Sequence, residues 1–280
     1  MTPLRQKMID QMLLHGFAER TKSTYLSAVI HLAKHYHQSP DALNINQIQD
    51  YFLYLIKERG LSPASCRLCF NALKFLYVEV LKQEWFNEMN LVLPKKEQRI
   101  PELLSREEVA RILSACRNRK HHALLSMCYA CGLRVSELVG LQLRHLDSDR
   151  HVVRIEQGKG HKDRLVLLTD GLDVLLRGYR QTYRPKTWLF FGFQRQKPLS
   201  VTTVQRVYTE AKAAAKVNKN GGIHGLRHAY ATHQLEAGVP VHQLQHLMGH
   251  KHIQTTLHYV HWSPRLPQSI SVDLLSGGGT

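Results

Sequence analysis

The sequence predicts a mainly helical protein with one small antiparallel sheet, an α+β fold divided between two domains. Apolar residues recur at helical spacing along most of the chain, with capping residues and glycines at the ends of the segments. One stretch, residues 151–168, is instead β-rich on both sides of a glycine turn. At 280 residues the chain is longer than one small domain, and a proline-containing basic stretch at residues 91–101 interrupts its periodicity.

Residues 1–90 are predicted to form a unit of four helices. The fourth opens with Ser62 and Pro63, a capping residue followed by proline in the first turn. Pro40 and two glycines interrupt the apolar pattern between the segments. The predicted helices run from Leu4 to Leu14, from Thr21 or Ser23 to Tyr36, from Asn46 to Glu58, and from Ser62 to about Lys82.

A linker and a second domain follow this unit. Residues 91–101, LVLPKKEQRIP, combine two prolines with basic residues and little periodicity, which is typical of a solvated linker. We expect the second domain at residues 102–265 and a C-terminal tail at residues 266–280. Ser105 to Glu108 have the pattern of a capping box at a helix start, and the next helix is predicted from His122 to Cys131, before Gly132.

The β-rich stretch predicts an antiparallel hairpin with a basic tip. Its two apolar runs flank Gly158-Lys159-Gly160. After the hairpin we expect a short strand near residues 188–191 and helices at 170–182, 200–217, 224–237, 240–248 and 253–262. Gly238 and Gly249 stand where a left-handed residue is expected to end a helix.

The charge distribution indicates a polyanionic partner. The formal net charge is +16, and residues 1–93 carry 10 Lys/Arg against 8 Asp/Glu, whereas residues 94–280 carry 28 against 14. A surface this basic attracts nucleic acid, and neither a basic amphipathic anchor nor a lipidation motif favours a membrane. The alternative is that the charge only keeps the protein in solution.

Hydrophobicity and cysteine content indicate the cellular compartment. No apolar run reaches the ~18 residues that span a bilayer, and the N-terminal residues lack the apolar core of a secretory signal, so we expect a soluble, cytoplasmic protein. Five cysteines, an odd number, favour reduced thiols. The CxxC pairs Cys66/Cys69 and Cys128/Cys131 lie in apolar helical patterns, which predicts buried free thiols in preference to zinc ligands.

Residues 224–262 hold nine of the eighteen histidines and a single acidic residue. His224/His228 and His246/His250 have the i, i+4 spacing of zinc proteases. However, neither position 225 nor position 226 is acidic, and the arginine at 227 would repel a dication. We therefore expect no metal and no cofactor.

The same residue types suit cleavage of a phosphodiester. Without a metal, this chemistry needs positive charge on the non-bridging oxygens, a nucleophile, and an acid for the leaving oxygen. Arg227 follows His224 by three residues at a predicted helix start, where backbone N–H groups favour an anion, and its planar fork can bind two phosphate oxygens. Tyr259 is the candidate nucleophile.

Five motifs, in order along the chain, resemble those of tyrosine recombinases of the phage integrase superfamily, most closely the Xer-like and bacterial integrase members. The spacings of 26 residues from His224 to His250 and of 9 from His250 to Tyr259 are typical of that family. The motifs are Gly132-Leu-Arg134-Val-Ser-Glu-Leu138, Gly158-Lys159-Gly-His-Lys162, His224-Gly-Leu-Arg227-His228, Leu247-Met-Gly-His250 and Tyr259.

The resemblance covers residues 5 to 262 approximately. It implies a helical, SAM-like core-binding domain at residues 1–90, which clamps DNA from the side opposite a tyrosine-recombinase catalytic domain at residues 102–265. It further implies site-specific recombination of double-stranded DNA, in which Tyr259 forms a 3′-phosphotyrosyl link and four protomers on two sites exchange strands through a Holliday junction. The covalent link conserves the energy of the phosphodiester, so no cofactor is required.

The resemblance also assigns roles to individual residues. Arg134 and Arg227 would hold the scissile phosphate, and His224 and His250 would hydrogen-bond it. Lys159 would protonate the departing 5′ oxygen, with Lys162 as its rival for that role. DNA contacts are expected from Lys22, Arg67, Lys162 and Arg164.

Neighbouring polar residues have supporting roles in this interpretation. Glu137 is expected to orient Arg134 or to cap its helix. Tyr129, Tyr208 and Tyr230 are expected in the core. Packing, support of the site or contact with DNA, but not general acid–base work, is expected of His228, His233, His242 and His246.

Two other functions and one structural question stay open at the level of sequence. A type IB topoisomerase-like enzyme would share the phosphotyrosine chemistry but relax DNA alone, and a non-catalytic protein would keep the fold only to bind DNA. Xer-type members usually end in a helix that docks on a neighbouring protomer, whereas Pro264 and Pro267 disfavour a helix here. The mode of tetramer assembly is therefore open.

Overall fold

The structure, a computed structural model, describes residues 2–89, 91, 101–156 and 163–262. The chain separates into two compact units, residues 1–99 and residues 100–280, which are called here the N-terminal and C-terminal units. Among the described residues, no helix combines the length and the apolar character needed to cross a bilayer.

The N-terminal unit contains the four predicted helices, with bounds that differ by a few residues. Asn44 and Gln47 form a reciprocal capping box at the start of the third, and the Ser62 hydroxyl accepts from the backbone N–H of Ser65 at the start of the fourth. The fourth helix continues as a π-helical segment, Phe75–Val80, and a short fifth helix was not predicted. The helices are α1 Pro3–Leu14, α2 Glu19–Tyr36, α3 Ile45–Lys57, α4 Pro63–Lys74 and α5 Trp85–Glu88.

Aromatic residues dominate the core of this unit. The Tyr77 ring stacks on that of Phe86, with centroids 5.3 Å apart, and both are buried. The Tyr77 hydroxyl donates a 2.6 Å hydrogen bond to the backbone oxygen of Pro40. The proline that interrupts the sequence pattern is thereby tied to the core.

Within residues 101–156 and 163–262, the C-terminal unit contains eight α-helices and one sheet. Ser105 and Glu108 form the predicted capping box. Gly249 ends the seventh of these helices at φ +60°, which confirms the expected left-handed cap. The helices are α6 Arg106–Ser114, α7 Arg119–Ala130, α8 Val135–Val139, α9 Asp170–Tyr183, α10 Val201–Ala214, α11 His224–Glu236, α12 Val241–Met248 and α13 Ile253–Trp262.

The sheet has three antiparallel strands in the order β1-β2-β3: β1 Leu146–Asp147, β2 Val152–Ile155 and β3 Arg164–Leu167. The predicted hairpin is confirmed, with Val152 opposite Leu167 and Ile155 opposite Arg164, while strand β1 was not predicted. The hairpin tip, with Lys159 and Lys162, lies outside the described residues.

The strand predicted near residues 188–191 is wrong. Only two isolated bridges form there, Gln142 with Trp188 and Phe191 with Pro198. Leu189 and Phe190 are fully buried in the core of the unit. The apolar run therefore reflects burial, which periodicity over four residues does not distinguish from a strand.

Two apolar clusters hold the C-terminal unit together. The larger joins α6, α7, α9 and α10 to the sheet. The smaller packs α11, α12 and α13 against one another and includes Tyr230, Leu244, Met248 and Tyr259. It fixes the last helix, and hence the candidate nucleophile, beside α11.

The cysteines have the predicted state. Cys66, Cys69, Cys128 and Cys131 are buried free thiols. Burial raises the pKa of Cys69, Cys128 and Cys131 to about 12, so these thiols are protonated at neutral pH. They serve as small apolar core residues.

Candidate active site

Arg227 is the buried centre of the site. Its side chain is 1% exposed on α11, and its Nη1 and Nη2 donate to the backbone oxygens of Gly132 and Met248, the latter at 2.6 Å. Burial, followed by the charge of Arg134, lowers the pKa of Arg227 to about 10, which leaves it cationic at neutral pH. The turn after α7 and the end of α12 are thus joined through one guanidinium.

Gly132 allows α11 to pack closely against the turn after α7. It has φ +57°, and the ring of Tyr230 occupies the space that a side chain at position 132 would need. A glycine is therefore required both by the backbone conformation and by the packing of α11 on this turn.

Glu137 connects three arginines. Its carboxylate accepts 2.8 Å and 2.9 Å bonds from Arg134 Nη1 and backbone N–H, and two bonds from Arg164, and it lies 3.9 Å from Arg227 Nη1. Burial by itself would raise the pKa of Glu137, but the hydrogen bonds from Arg164 and Arg134 lower it to about 2. Glu137 orients Arg134 and caps α8, as expected, and it also holds a second arginine that the sequence did not pair with it.

Arg164 requires a correction. It was expected to contact DNA, but its side chain is 4% exposed, and its Nη1 and Nη2 donate to the two oxygens of Glu137 at 2.9 and 2.7 Å. Its Nε donates to the backbone oxygen of Leu247 at 2.9 Å. A phosphate cannot reach a guanidinium so enclosed, so Arg164 supports the site through its contact with Glu137.

His250 lies between Arg227 and Thr256. Arg227 Nη2 is 3.1 Å from His250 Nε2, and Thr256 Oγ1 is 2.9 Å from Nδ1. Because a guanidinium can only donate, Nε2 accepts and Nδ1 carries the ring proton. Burial and the neighbouring arginines lower the pKa of His250 to about 3, so the ring is neutral.

Tyr259 lies on α13 directly against these groups. Its ring stacks on that of His250, with centroids 6.1 Å apart and planes 6° apart, and only 4% of the residue is exposed. Its hydroxyl is 3.1 Å from His228 Nδ1. Burial raises the pKa of Tyr259, while Arg227 and Arg134 act in the opposite direction. The phenol is therefore protonated, in a cationic surrounding.

His224 stands at the open side of the cluster. It is solvent-exposed at the first position of α11, and its ring edge meets that of His228 at a centroid distance of 4.5 Å. Desolvation, then Arg227 and Arg134, lower its pKa. This histidine is the member of the set that a ligand from solvent meets first.

The cluster has an excess of positive charge. Three guanidiniums share the single carboxylate of Glu137. Desolvation and the charge of Arg227 lower the pKa of each of the three neighbouring histidines, and Arg134 adds to this effect at His224 and His250. An anion bound here would offset that repulsion, which makes the site suited to a phosphate group.

The structure thus brings five predicted site residues together from separate parts of the chain: Arg134, His224, Arg227, His250 and Tyr259. In the N-terminal unit, Arg67 is exposed on α4, as a DNA contact requires. Lys22 differs, because its side chain is 11% exposed and pairs with Glu19 at 2.5 Å. That pairing disfavours the DNA contact predicted for Lys22.

Two functional relationships escaped the sequence. The pair of Glu137 and Arg164 joins residues 27 positions apart, and the contact of His228 with Tyr259 joins residues 31 apart. The i, i+4 pair His224/His228 is the one local signal for His228, and the same spacing also fits a zinc site. The first contact depends on how α8 packs beside β3, and the second on how α11 packs against α13.

Comparison with known proteins agrees with this geometry. Residues 102–265 match the phage integrase family, and residues 4–87 match the phage integrase N-terminal SAM-like domain. The Sinorhizobium fredii protein y4qK, an integrase/recombinase by name, is 42% identical over 260 residues, which cover 93% of this chain and 84% of that protein. Tyrosine recombinase XerD of Caulobacter vibrioides is 33% identical over 248 residues, covering 82% and 80% of the two chains.

Solved structures share the fold. A crystal structure of XerA recombinase superposes with a TM-score of 0.55 at 25% identity, covering 92% of both chains. A lambda integrase fragment in a dimer bound to a COC′ core site gives 0.75 at 19% identity, covering 95% of this chain and 99% of that one.

A helical α+β fold with arginines, histidines and a tyrosine gathered at one site defines a tyrosine recombinase. The chain belongs to the phage integrase family and is a site-specific DNA recombinase, an enzyme that cuts and rejoins DNA. The predicted family, fold class and enzyme class are confirmed.

Proposed function

We propose that this recombinase cleaves double-stranded DNA with Tyr259 as the nucleophile and leaves a 3′-phosphotyrosyl link and a free 5′-hydroxyl. The observation that carries the proposal is the stacking of Tyr259 on His250, which also contacts Arg227. Arg227 lies on α11, His250 between α12 and α13, and Tyr259 on α13, so only the folded unit assembles these groups. A phenol beside two guanidiniums is the arrangement that attack on a phosphate requires.

The remaining groups take roles around the phosphate. Arg134 and Arg227 balance charge on the non-bridging oxygens, and Glu137 and the carbonyl contacts keep both guanidiniums oriented before DNA binds. His224 hydrogen-bonds the same phosphate as a neutral ring. His250, whose two ring nitrogens contact Arg227 and Thr256, holds Arg227 in position in place of the phosphate contact expected for it. The lysine of the hairpin tip protonates the 5′ oxygen, and we assign this role to Lys159 in preference to Lys162.

The reaction stores its own energy. The Tyr259 Oη–P bond forms as the P–O5′ bond breaks, so one phosphoester replaces another and no cofactor is consumed. A 5′-hydroxyl from a partner strand then reverses the step. Four protomers on two recombination sites complete the exchange through a Holliday junction, as a homotetramer.

We further propose the division of labour along the chain. Residues 1–90 form the core-binding domain, residues 91–101 the linker, residues 102–265 the catalytic domain and residues 266–280 a tail. The two compact units and the two family matches support this division. The structures of XerH on a palindromic difH substrate and of lambda integrase on a core site support DNA as the partner. We place the enzyme in the cytoplasm, on the nucleoid.

Covalent capture tests the proposal. The adduct is first mapped on a pool of genomic DNA, and the site found is rebuilt as a nicked substrate from which the cleaved end is lost. The wild type should accumulate a covalent adduct, whereas Tyr259→Phe should form none and should still bind DNA.

Tyr179→Phe is the matched control for this experiment. Tyr179 is also buried, but its hydroxyl donates to the backbone oxygen of Leu189, and no contact joins it to the described residues of the site. An adduct that persists in Tyr259→Phe would overturn the proposal. Relaxation of a supercoiled plasmid that carries no recombination site would favour a topoisomerase-like enzyme instead.

A further inference from the structure

The hydroxyl of Tyr259 has a specific partner that the proposed mechanism leaves without a role. His228 Nδ1 lies 3.1 Å from Tyr259 Oη. The His228 ring is held by edge contacts with His224, at a centroid distance of 4.5 Å, and with Trp262, at 5.6 Å. The imidazole is thus fixed against the reacting oxygen by neighbours on α11 and α13.

The direction of this hydrogen bond follows from the two protonation states. Burial, then His224 and Arg227, lower the pKa of His228 to about 4, so the ring is neutral at pH 7. Burial raises the pKa of Tyr259, so the phenol keeps its proton. A protonated phenol donates, and the bare Nδ1 of a neutral ring accepts.

The other two histidines are less suited to this proton. His250 Nε2 accepts from Arg227 and its Nδ1 is occupied by Thr256, while its ring lies parallel to that of Tyr259. His224 is exposed and meets His228 in place of the phenol. Within the described residues, His228 is the histidine with a ring nitrogen at hydrogen-bond distance from Tyr259 Oη.

We propose that His228 is the general base of cleavage: its Nδ1 takes the phenolic proton as Tyr259 Oη bonds to phosphorus. The inference rests on the proposed function. The O–H bond breaks as the Oη–P bond forms, the P–O5′ bond breaks, and O5′ takes a proton from the hairpin lysine. In religation, the imidazolium returns its proton to the phenolic oxygen.

The surrounding charges favour transfer during the attack. The titratable and charged groups that face the ring are His224 and Arg227 on α11 and Tyr259 on α13. A bound phosphodiester adds negative charge beside Arg227, which stabilises an imidazolium and disfavours a free phenolate. The proton is therefore transferred as the new bond forms, and not in advance.

The test compares single-turnover cleavage by the full-length wild type, His228→Asn and His228→Ala on the nicked substrate. Asparagine keeps a neutral acceptor near the position of Nδ1 but cannot take a proton. We expect both variants to lose at least about 100-fold in rate, the usual contribution of a general base, while binding the same DNA. Thermal midpoints and DNA affinity verify that each variant is folded.

His233→Asn is the matched control. His233 also lies on α11, and its Nδ1 is 2.9 Å from the hydroxyl of Tyr129, an equivalent pair outside the site. We expect its cleavage rate to stay near that of the wild type. The loss in His228→Asn is then attributable to the reacting tyrosine.

A substrate with sulfur in place of the bridging 5′ oxygen distinguishes loss of the general base for Tyr259 from loss of the general acid for the leaving oxygen. Its thiolate leaves without a proton, so this substrate should restore the cleavage rate of Lys159→Ala but not that of His228→Asn. Near-wild-type cleavage by His228→Asn, or its rescue by the sulfur substrate, would overturn the inference. If the wild type forms no adduct at Tyr259, the proposed function itself fails, and the two outcomes are therefore distinguishable.

Discussion

Arg164 and Glu137 form a bidentate ion pair in which both side chains are 4% exposed and the two N···O distances are 2.9 and 2.7 Å. The same carboxylate lies 2.8 Å from Arg134 Nη1 and 3.9 Å from Arg227 Nη1, and it orients both guanidiniums. It therefore links the stability of the fold to the geometry of the site.

Removal of this carboxylate should be costly. In Glu137→Gln the guanidinium of Arg164 stays buried without its counter-ion, and breaking a buried pair from one side typically costs about 3–5 kcal/mol. We expect a loss of that size in the free energy of unfolding, measured by urea titration.

Glu210→Gln provides the comparison, because its pair with Arg206 is long, at 3.7 Å, and both side chains are well exposed. An exposed pair is worth about 0–1 kcal/mol. Equal losses in the two variants would contradict the supporting role of Glu137.

Gly249 should not tolerate a side chain. It has φ +60°, and a Cβ there would lie 2.9 Å from Arg164 Cδ and 3.0 Å from its Nη1. Gly249→Ala combines a backbone cost of roughly 1–2 kcal/mol with displacement of Arg164. Gly238→Ala is the matched variant, because Gly238 has φ +87° and no atom within 4 Å of the same position.

The difference in stability between Gly249→Ala and Gly238→Ala measures the steric contribution of the side chain at position 249. We expect Gly249→Ala to be the less stable of the two by about 1–3 kcal/mol, the usual cost of overpacking, and to cleave more slowly. Thermal and urea unfolding give the comparison. A smaller cost for Gly249→Ala than for Gly238→Ala would contradict it.

Stability should decrease in acid. The pKa values of His250 and His228 are lowered to about 3 and about 4 in the folded protein, from the ordinary 6.5. Below pH 6.5 the unfolded chain therefore binds protons that the folded site does not. The free energy of unfolding consequently decreases as the pH is lowered. Glu137, with a folded pKa of about 2 against the ordinary 4.5, acts in the same direction below pH 4.5.

Urea unfolding at pH 7, 6 and 5 tests this dependence. The double variant His228→Asn/His250→Asn should show a shallower decrease, because asparagine does not titrate. A wild-type stability that is flat or that rises toward pH 5 would show that these histidines are charged in the folded protein.

Cleavage rates of variants at Lys159 and Lys162 should show which lysine is the general acid. If Lys159 is the acid for the 5′ oxygen, Lys159→Ala should slow single-turnover cleavage by at least about 100-fold, and a sulfur leaving group should restore the rate. Lys162→Ala, three residues further along the chain, is the control and should keep most of the rate on both substrates. The reverse result would assign the acid to Lys162.

Local signals predicted the elements well. The capping boxes at Asn44 and Ser105 and the left-handed glycine at 249 depend on contacts within one turn, so the sequence contains all the participants. The strand predicted at 188–191 failed for the complementary reason. Its apolar residues pack into a core formed by distant helices, and no neighbouring strand pairs with them beyond isolated bridges.

The site likewise combines features that the local sequence determines with features that depend on tertiary packing. The sequence by itself determined which chemical groups are present, because arginine, histidine and tyrosine at these spacings are the residues that phosphodiester cleavage needs. Only the tertiary structure decided their partners: that Arg164 binds Glu137 in place of DNA, and that His228 meets the phenol of Tyr259. His228 and Tyr259, 31 residues apart, meet only when α11 and α13 pack around the apolar cluster that they share with α12, and Glu137 and Arg164 meet only when α8 packs beside β3. Both contacts depend on burial across the whole unit.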